Sequence, residues 1–513
     1  MKRSYILALL SASLSSLAQA TEIIYAIAAV QYNGELIYTG SDYSTKLTPL
    51  GKQQLYDVAT FYHDRYMNDT SSFYIDGIHS SFDDSQVYAM APDQSYLVTS
   101  GQVFLQGLFP PQKLYTEVTL SNGQIVKDPP NGVQFTTLHS VSPLDPDTIW
   151  LDAGDGCPNY QDEGTTFLQS SEFLRIKTDS QSFYDSLIDQ YLAGVFSLDQ
   201  IGYQSAFEIY NFMSYGFIYN STFMQKIDPQ ILYHLKTLAD SYEWAMNGNV
   251  SLDNPALTVY GKALANKITE CLTINYDTAG AENKFTLLVS SYESFLGFFG
   301  HAGLSDYSDD FKGLPNYAAT MIFELFSDAD NPSGGYPSES VLRVRFLFRN
   351  GTDDSGPLLQ FPIFGMTDMG LLEFQEKINE FAVKDTAQWC ELCSSHVSFC
   401  SENETNVGDV GGSETNAGDV GGSETNSGEG DIPTDISTGR ESRSHSLSPA
   451  IAGVIGAICV IVAVLLGLGV AMLLFGLRFV RTRRATTERG FRGGEKLPSE
   501  IDLSKIPPSV LKV

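Results

Sequence analysis

Positive charge is what this 513-residue chain has least of: 31 Lys and Arg stand against 61 Asp and Glu, a formal net charge of -30. That balance excludes nucleic acid and anionic lipid as partners of the soluble part, since both are bound by clustered cations. It also repels a phosphate monoester unless a local group of arginines overrides the field. Histidine is scarce too, at 7 residues. His63, His79, His234, His301 and His396 show neither metal-ligand spacing nor the order of a catalytic triad. No metal and no cofactor is expected. Apolar residues, in contrast, are ample for a sizeable core, at 43% of the chain with 12% aromatic.

Both ends carry targeting signals. Met1-Lys2-Arg3, the apolar stretch Tyr5 to Leu17 and the Ala18-Gln19-Ala20 cleavage pattern read as a secretory signal peptide over 1–20. Ala450 to Leu477 holds no charged residue, and about 1.5 Å per residue carries it across a hydrocarbon core of roughly 30 Å. Arg478, Arg481, Arg483 and Arg484 follow at once and place that side in the cytoplasm. A glycolipid-anchor signal would end the chain, whereas a basic tail, 478–513, continues it. The expectation is a type I protein with one span at 449–477. Before the span, 401–448 is rich in Gly, Ser, Asn, Thr and acidic residues, with Ser413-Glu414-Thr415-Asn416 recurring from Ser423. So polar a repeat buries no core and reads as a flexible stalk.

The folded part, 21–400, is organised around Ile23 to Tyr66. Ile23 to Val30 is an apolar run of strand length, and Gln31-Tyr32-Asn33-Gly34 is a turn signal. Thr48 can then N-cap a helix with Pro49 at its first position, and Leu50, Leu55, Val58, Ala59, Tyr62 and Tyr66 recur at roughly helical spacing. In an open α/β sheet, ligands bind at the carboxyl end of such a strand.

This layout, with LTPLGKQQLYDVATFYHDRY from Leu47 onward, resembles the histidine acid phosphatase family in its fungal branch. The resemblance covers roughly residues 22 to 400. It continues through Ala91-Pro92-Asp93-Gln94-Ser95-Tyr96, Leu105-Gln106-Gly107-Leu108-Phe109-Pro110-Pro111, Cys157-Pro158-Asn159-Tyr160, Pro315-Asn316-Tyr317-Ala318 and Phe323-Glu324-Leu325. It implies an α/β fold: a histidine-phosphatase-like sheet flanked by helices, with an inserted α-helical lobe at about 165–275. In that family the first turn carries Arg-His-Gly and a further Arg, the His taking the phosphoryl group and the arginines holding it. Here the turn reads Gln31-Tyr32-Asn33-Gly34-Glu35, with no His and no Arg. A later phosphate-holding Arg corresponds to Tyr96. The family's second His, with an Asp that protonates the leaving group, falls on Ser291-Tyr292 without gaps or on Tyr292-Glu293 with one deletion. Glu293 reads as an exposed or helix-capping residue, with general acid the sharper reading. No catalytic residue is therefore expected, and the cleft would be lined by Tyr32, Asn33, Tyr96 and Tyr292.

Val341 to Gly351 alternates as a half-exposed strand ending in a turn. Cys157, Cys271, Cys390, Cys393 and Cys400 precede the span, and export favours disulfides among them. Cys390–Cys400 and Cys390–Cys393 both fit, the pairing is not derivable, and one thiol is left over. A zinc or redox role for Cys390 and Cys393 lacks a second pair. Asn68, Asn220, Asn249, Asn350 and Asn403 each open an Asn-x-Ser/Thr sequon, consistent with a glycosylated surface. Two functions fit: a catalytically silent ectodomain at the cell surface or vacuolar membrane, binding an unknown extracellular ligand or protein, and an acid phosphatase with a rearranged site.

Overall fold

A computed structural model describes residues 22–38, 43–111, 117–127, 132–252, 254–328, 335–352 and 358–401. The signal-peptide, stalk, membrane-span and tail expectations, with Asn403, lie outside these residues. Among the described residues, no helix is long and apolar enough to cross a membrane.

The chain opens with β1 (Ile23–Tyr32), buried along almost its whole length because both faces are covered. The strand runs two residues into the expected turn. Gln31 pairs with Thr320 on one side and Tyr32 with Ser290 on the other, so the ladder holds them extended. A short hairpin, β2 (Leu36–Tyr38) and β3 (Tyr43–Leu47), leads into α1 (Pro49–Tyr62). As the sequence predicts, Thr48 caps this helix: its Oγ1 accepts from the Gly51 N–H at 2.8 Å. The turn and the helix start touch so closely that only glycine fits. A Cβ on Gly34 would lie 2.2 Å from the Gly51 oxygen, and one on Gly51 would lie 2.3 Å from the Glu35 oxygen. Thr48 also donates to Glu35 Oε2 at 2.7 Å. Thr48→Ala is expected to lower stability by about 1–2 kcal/mol in chemical denaturation, since it frees a helix N–H and a buried carboxyl together.

β4 (Val87–Pro92) and α2 (Ser95–Leu108) repeat the strand–helix step, a surface hairpin of β5 (Glu117–Thr119) and β6 (Ile125–Lys127) follows, and β7 (His139–Val141) forms one edge. Then come the helices α3 (Pro158–Phe167), α4 (Ser171–Leu187), α5 (Ala206–Tyr219), α6 (Ser221–Met224), α7 (Pro229–Asn247) and α8 (Val259–Asp277). The chain returns through β8 (Phe285–Ser290), α9 (Tyr292–His301), α10 (Leu304–Tyr307), β9 (Thr320–Ser327), β10 (Arg343–Arg349), β11 (Leu359–Phe361), β12 (Asp368–Gly370), α11 (Leu371–Asn379) and α12 (Thr386–Cys393). The main sheet has the order β11-β10-β9-β1-β8-β4-β7, with β12 on β10. β1 is parallel to β8 and antiparallel to β9, so the sheet is mixed and β1 lies in its middle. α1 and α2 cover one face, burying Leu55, Val58, Tyr62 and Phe104; the other helices cover the opposite face with a larger core.

β10 is not half-exposed. All its residues after Arg343 are buried, and Arg345 and Arg349 are internal instead of solvated. Arg345 binds Glu324 and reaches Glu22 at 2.6 Å, while the Arg349 guanidinium lies 4.2 Å over the Phe61 ring. The fully buried Glu324 also takes Tyr66 and, at 3.3 Å, Arg65. The cysteine pairing is Cys157–Cys393 and Cys390–Cys400, with Cys271 free and buried. Cys390–Cys393 is thus excluded, because each sulfur is already bonded elsewhere. Asn68, Asn220 and Asn350 are exposed and Asn249 partly so.

Candidate functional site

The carboxyl end of β1 is closed by its own side chains. Gln31 is fully buried, its Nε2 donating to the Tyr32 and Ala319 carbonyls at 2.7 and 3.3 Å while its Oε1 accepts from Thr320 at 2.8 Å. Every polar atom of that side chain is satisfied by the protein, so it offers nothing to a ligand. Asn33 is likewise turned inward, donating to the Gly34 carbonyl at 2.9 Å. Glu35 is buried and accepts from Thr48 and from Tyr219 at the end of α5, which fastens the helical layer to the strand turn. Burial pushes its carboxyl above the usual range, and those two donors partly offset the rise.

Tyr32 faces the other way, against the helical layer. Its ring stacks on Tyr317 at 5.6 Å and meets Tyr292 edge-on at 6.3 Å. Tyr292 in turn lies 4.8 Å from Phe207 of α5. In front of Tyr32 is a cavity of about 50 Å³ bounded by Tyr38, Phe207, Asn211, Asn316 and Tyr317, with Glu35 and Lys236 at its margin. Lys236 is the one cation lining it among the described residues, and both Asp240 oxygens hold it at 2.8 and 2.9 Å. No Arg and no His lines the cavity among the described residues.

Beyond Tyr292 lies a second group of polar side chains. α9 begins at Tyr292, with Ser291 as its N-cap residue, so Tyr292 and not Ser291 abuts Tyr32. Glu293 is not exposed at its carboxyl, which accepts from Ser291, from its own backbone N–H and from Tyr292 in the first turn of α9. Its Oε2 is shut off from solvent without a hydrogen-bond partner among the described residues, although the residue as a whole is only partly covered. Burial pushes its carboxyl up. Glu243 of α7 is pushed well up, by burial first and then by the charges of Glu293 and Glu208. Asn247 donates to Glu243 at 2.9 Å and accepts from Tyr160 at 2.7 Å. Asp152, after the strand end of β7, accepts from Gln94 at 2.7 Å and from Tyr260 at 3.3 Å. Tyr96, at the start of α2, is half-buried, and burial followed by the charges of Glu293 and Asp152 raises its phenol. Of the residues expected in the cleft, Tyr32 lines the cavity, Tyr292 packs against Tyr32 and Phe207 without lining it, Tyr96 lies near the acidic group and Asn33 is turned away from both.

Burial, then the charges of Asp155 and Glu293, push Asp152 up to about 6 from 3.8. A raised carboxyl holds its proton more tightly in the folded state. Its contribution to stability is therefore complete below 3.8 and is lost as pH rises through about 6. The melting-temperature advantage of the wild type over Asp152→Asn is expected to shrink between pH 4 and pH 7; a pH-independent difference would show that Asp152 is not perturbed.

The sequence did not mark Tyr38, Tyr160, Tyr260, Tyr317, Asp152 or Glu243 as site residues, although Tyr160 and Tyr317 lie in family-like segments. They come from six separate places in the chain, and no local spacing links them. Comparison with known proteins agrees with the family expectation. The profile of the histidine phosphatase superfamily (branch 2) matches residues 9–349. Prostatic acid phosphatase of Mus musculus is 25% identical over 358 residues, 68% of this chain and 81% of the relative. The Rattus norvegicus protein of the same name is 25% identical over 357 residues with the same coverage. Among solved structures, the apo phytase of Hafnia alvei aligns over 71% of this chain and 98% of its own, with 11% identity and a TM-score of 0.46. The phytase of D. castellii aligns over 77% and 88%, with 12% identity and a TM-score of 0.42.

Proposed function

Since the chain belongs to the histidine phosphatase superfamily, branch 2, we propose that it is a catalytically silent member whose ectodomain serves as a binding or structural module. One observation carries this reading. Where a phosphoryl group would need a nucleophile and a ring of cations, the end of β1 presents phenols, amides and carboxyls, and the one lining cation among the described residues is held by Asp240. A phosphate dianion entering there meets the buried carboxyl of Glu35, in surroundings too dry to screen it. The cavity's aromatic faces and the amides of Asn211 and Asn316 suit an uncharged or sugar-like ligand better.

The sequence supports the setting. The leader at 1–20, the span at 449–477 and the arginines behind it make a type I membrane protein of the cell surface or vacuolar membrane, with its ectodomain outside the cytoplasm. Asn68, Asn220, Asn249 and Asn350 are the proposed glycan carriers. Calorimetric titration of the purified protein with orthophosphate and tungstate tests the reading: no saturable binding is expected, and tight binding would overturn it. The rearranged acid phosphatase is kept as the second reading by one feature, the buried and raised carboxyl of Glu293, the property of a general acid. Turnover that disappears in Tyr32→Phe or Glu293→Gln would decide for it.

A further inference from the structure

Resting on the reading of an exported glycoprotein, we infer that a polar groove beside α1 seats the core sugars of the glycan carried by Asn68. The groove, of about 560 Å³, is lined by Asn68 itself together with His63, Tyr74, His79, Ser80 and Ser81. That volume lies within the roughly 300–1,000 Å³ of sites that hold small molecules. Asn68 follows His63–Met67, the turn that continues α1. Its Oδ1 accepts from the Thr70 N–H at 3.1 Å and from the Thr70 hydroxyl at 2.8 Å. Those two bonds fix the carboxamide plane through its oxygen and leave Nδ2, the nitrogen that takes the sugar, without a hydrogen bond among the described residues. The other described sequons differ. Asn220 and Asn249 accept from backbone N–H groups alone, at 3.1 Å, and Asn350 accepts from the Asn316 N–H at 2.7 Å. None of those three lines this groove.

The lining suits a molecule rich in hydroxyls. His63 Nδ1 lies 2.7 Å from the Leu108 carbonyl and His79 Nδ1 lies 3.0 Å from Asp83 Oδ2. A carbonyl and an ionised carboxylate only accept, so in each neutral ring the proton sits on Nδ1 and Nε2 is an acceptor. Neither Leu108 nor Asp83 lines the groove, so Nε2 is the ring nitrogen left to face it. Ser80 and Ser81 are exposed, and their hydroxyls both donate and accept. Tyr74 donates its hydroxyl to the Ile78 carbonyl at 2.6 Å, which holds its ring as a fixed face for the apolar side of a sugar. Each such contact is weak in water. A sugar tethered at the groove's own rim nevertheless meets it at an effective concentration on the order of millimolar. An untethered sugar lacks that advantage, which singles out the chain's own glycan as the occupant.

The test follows, by glycopeptide mass spectrometry, the release of glycans from the full chain made with high-mannose glycans in an exporting host. An endoglycosidase that cuts between the two innermost N-acetylglucosamines is the probe. In the native protein, the Asn68 glycan is expected to be released at least about tenfold more slowly than the Asn220 glycan, because the enzyme reaches only the unseated fraction. After denaturation the two rates are expected to be equal. Tyr74→Leu removes the fixed ring, and is expected to raise the native rate at Asn68 to that at Asn220 with the glycan still attached. Should that variant not fold, Ser81→Trp, at an exposed position, fills the groove and is expected to do the same. Equal native rates in the wild type, an Asn68 without glycan, or protection untouched by both substitutions overturns the inference. The two readings fail separately: no glycan at Asn68, Asn220, Asn249 or Asn350 sinks the exported glycoprotein, whereas an Asn68 glycan cut as fast as the Asn220 glycan sinks only the seating.

Discussion

The purified protein is expected to turn over p-nitrophenyl phosphate at acid pH no faster than buffer, a deficit of about six orders of magnitude relative to a competent covalent phosphatase. The size follows from the absence of a unit, not of one group. Each lost donor to a transferring group costs about 3–4 kcal/mol of transition-state stabilisation, and without a nucleophile no covalent transfer begins at all. Tyr32 is no substitute. Burial drives its phenol well above 10, with the neighbouring Tyr38 and Glu293 adding to the rise, so its reactive anion is absent at acid pH. Tyr32→His is likewise expected to stay inactive, because the new imidazole would sit beside Glu35 and the Glu293 group without cations to hold the phosphate. Measurable turnover by the wild type, or restoration by this single exchange, would refute the account.

Glu324→Ala is expected to destabilise the fold by about 3–5 kcal/mol, the cost of leaving buried guanidinium groups without their carboxylate. Glu324 is fully buried in β9 and is shared by Arg345, Arg65 and the Tyr66 hydroxyl. Urea unfolding measures the loss. The replacement of Glu324 and Arg345 together by leucines is expected to cost less than Glu324→Ala, since no uncompensated charge then stays opposite the lost acid. A loss under about 1 kcal/mol for Glu324→Ala would show that the network is solvated and weak.

The parts of this molecule legible in the sequence are those written in adjacent residues. An apolar run gave β1, and Thr48 with Pro49 gave the start of α1, both as found. The carboxyl end of β1 was legible as the place for a pocket, and Tyr32 does line one. Where partners come from far along the chain, local pattern misleads. Gln31 and Tyr32 look like a turn until β8 and β9 pair with them. Arg345 and Arg349 look solvent-facing until Glu324 and Phe61 cover them. Glu293 looks like a surface residue because no neighbour in sequence reveals Tyr32, Glu243 and Asp152 around it. The cysteines divide the same way: the short Cys390–Cys400 link was among the pairings considered, but nothing local joins Cys157 to Cys393 across 236 residues.

That long link gives α12 a mechanical role. A tug at Ser401 passes through Cys400–Cys390 into α12 and on through Cys393–Cys157, with Trp389 also tied to the Ala153 carbonyl at 2.9 Å. Asp152 precedes that anchor. The load path therefore runs through sulfur, skirts the sheet, and delivers traction on the carboxyl end of the domain to the segment that carries Asp152.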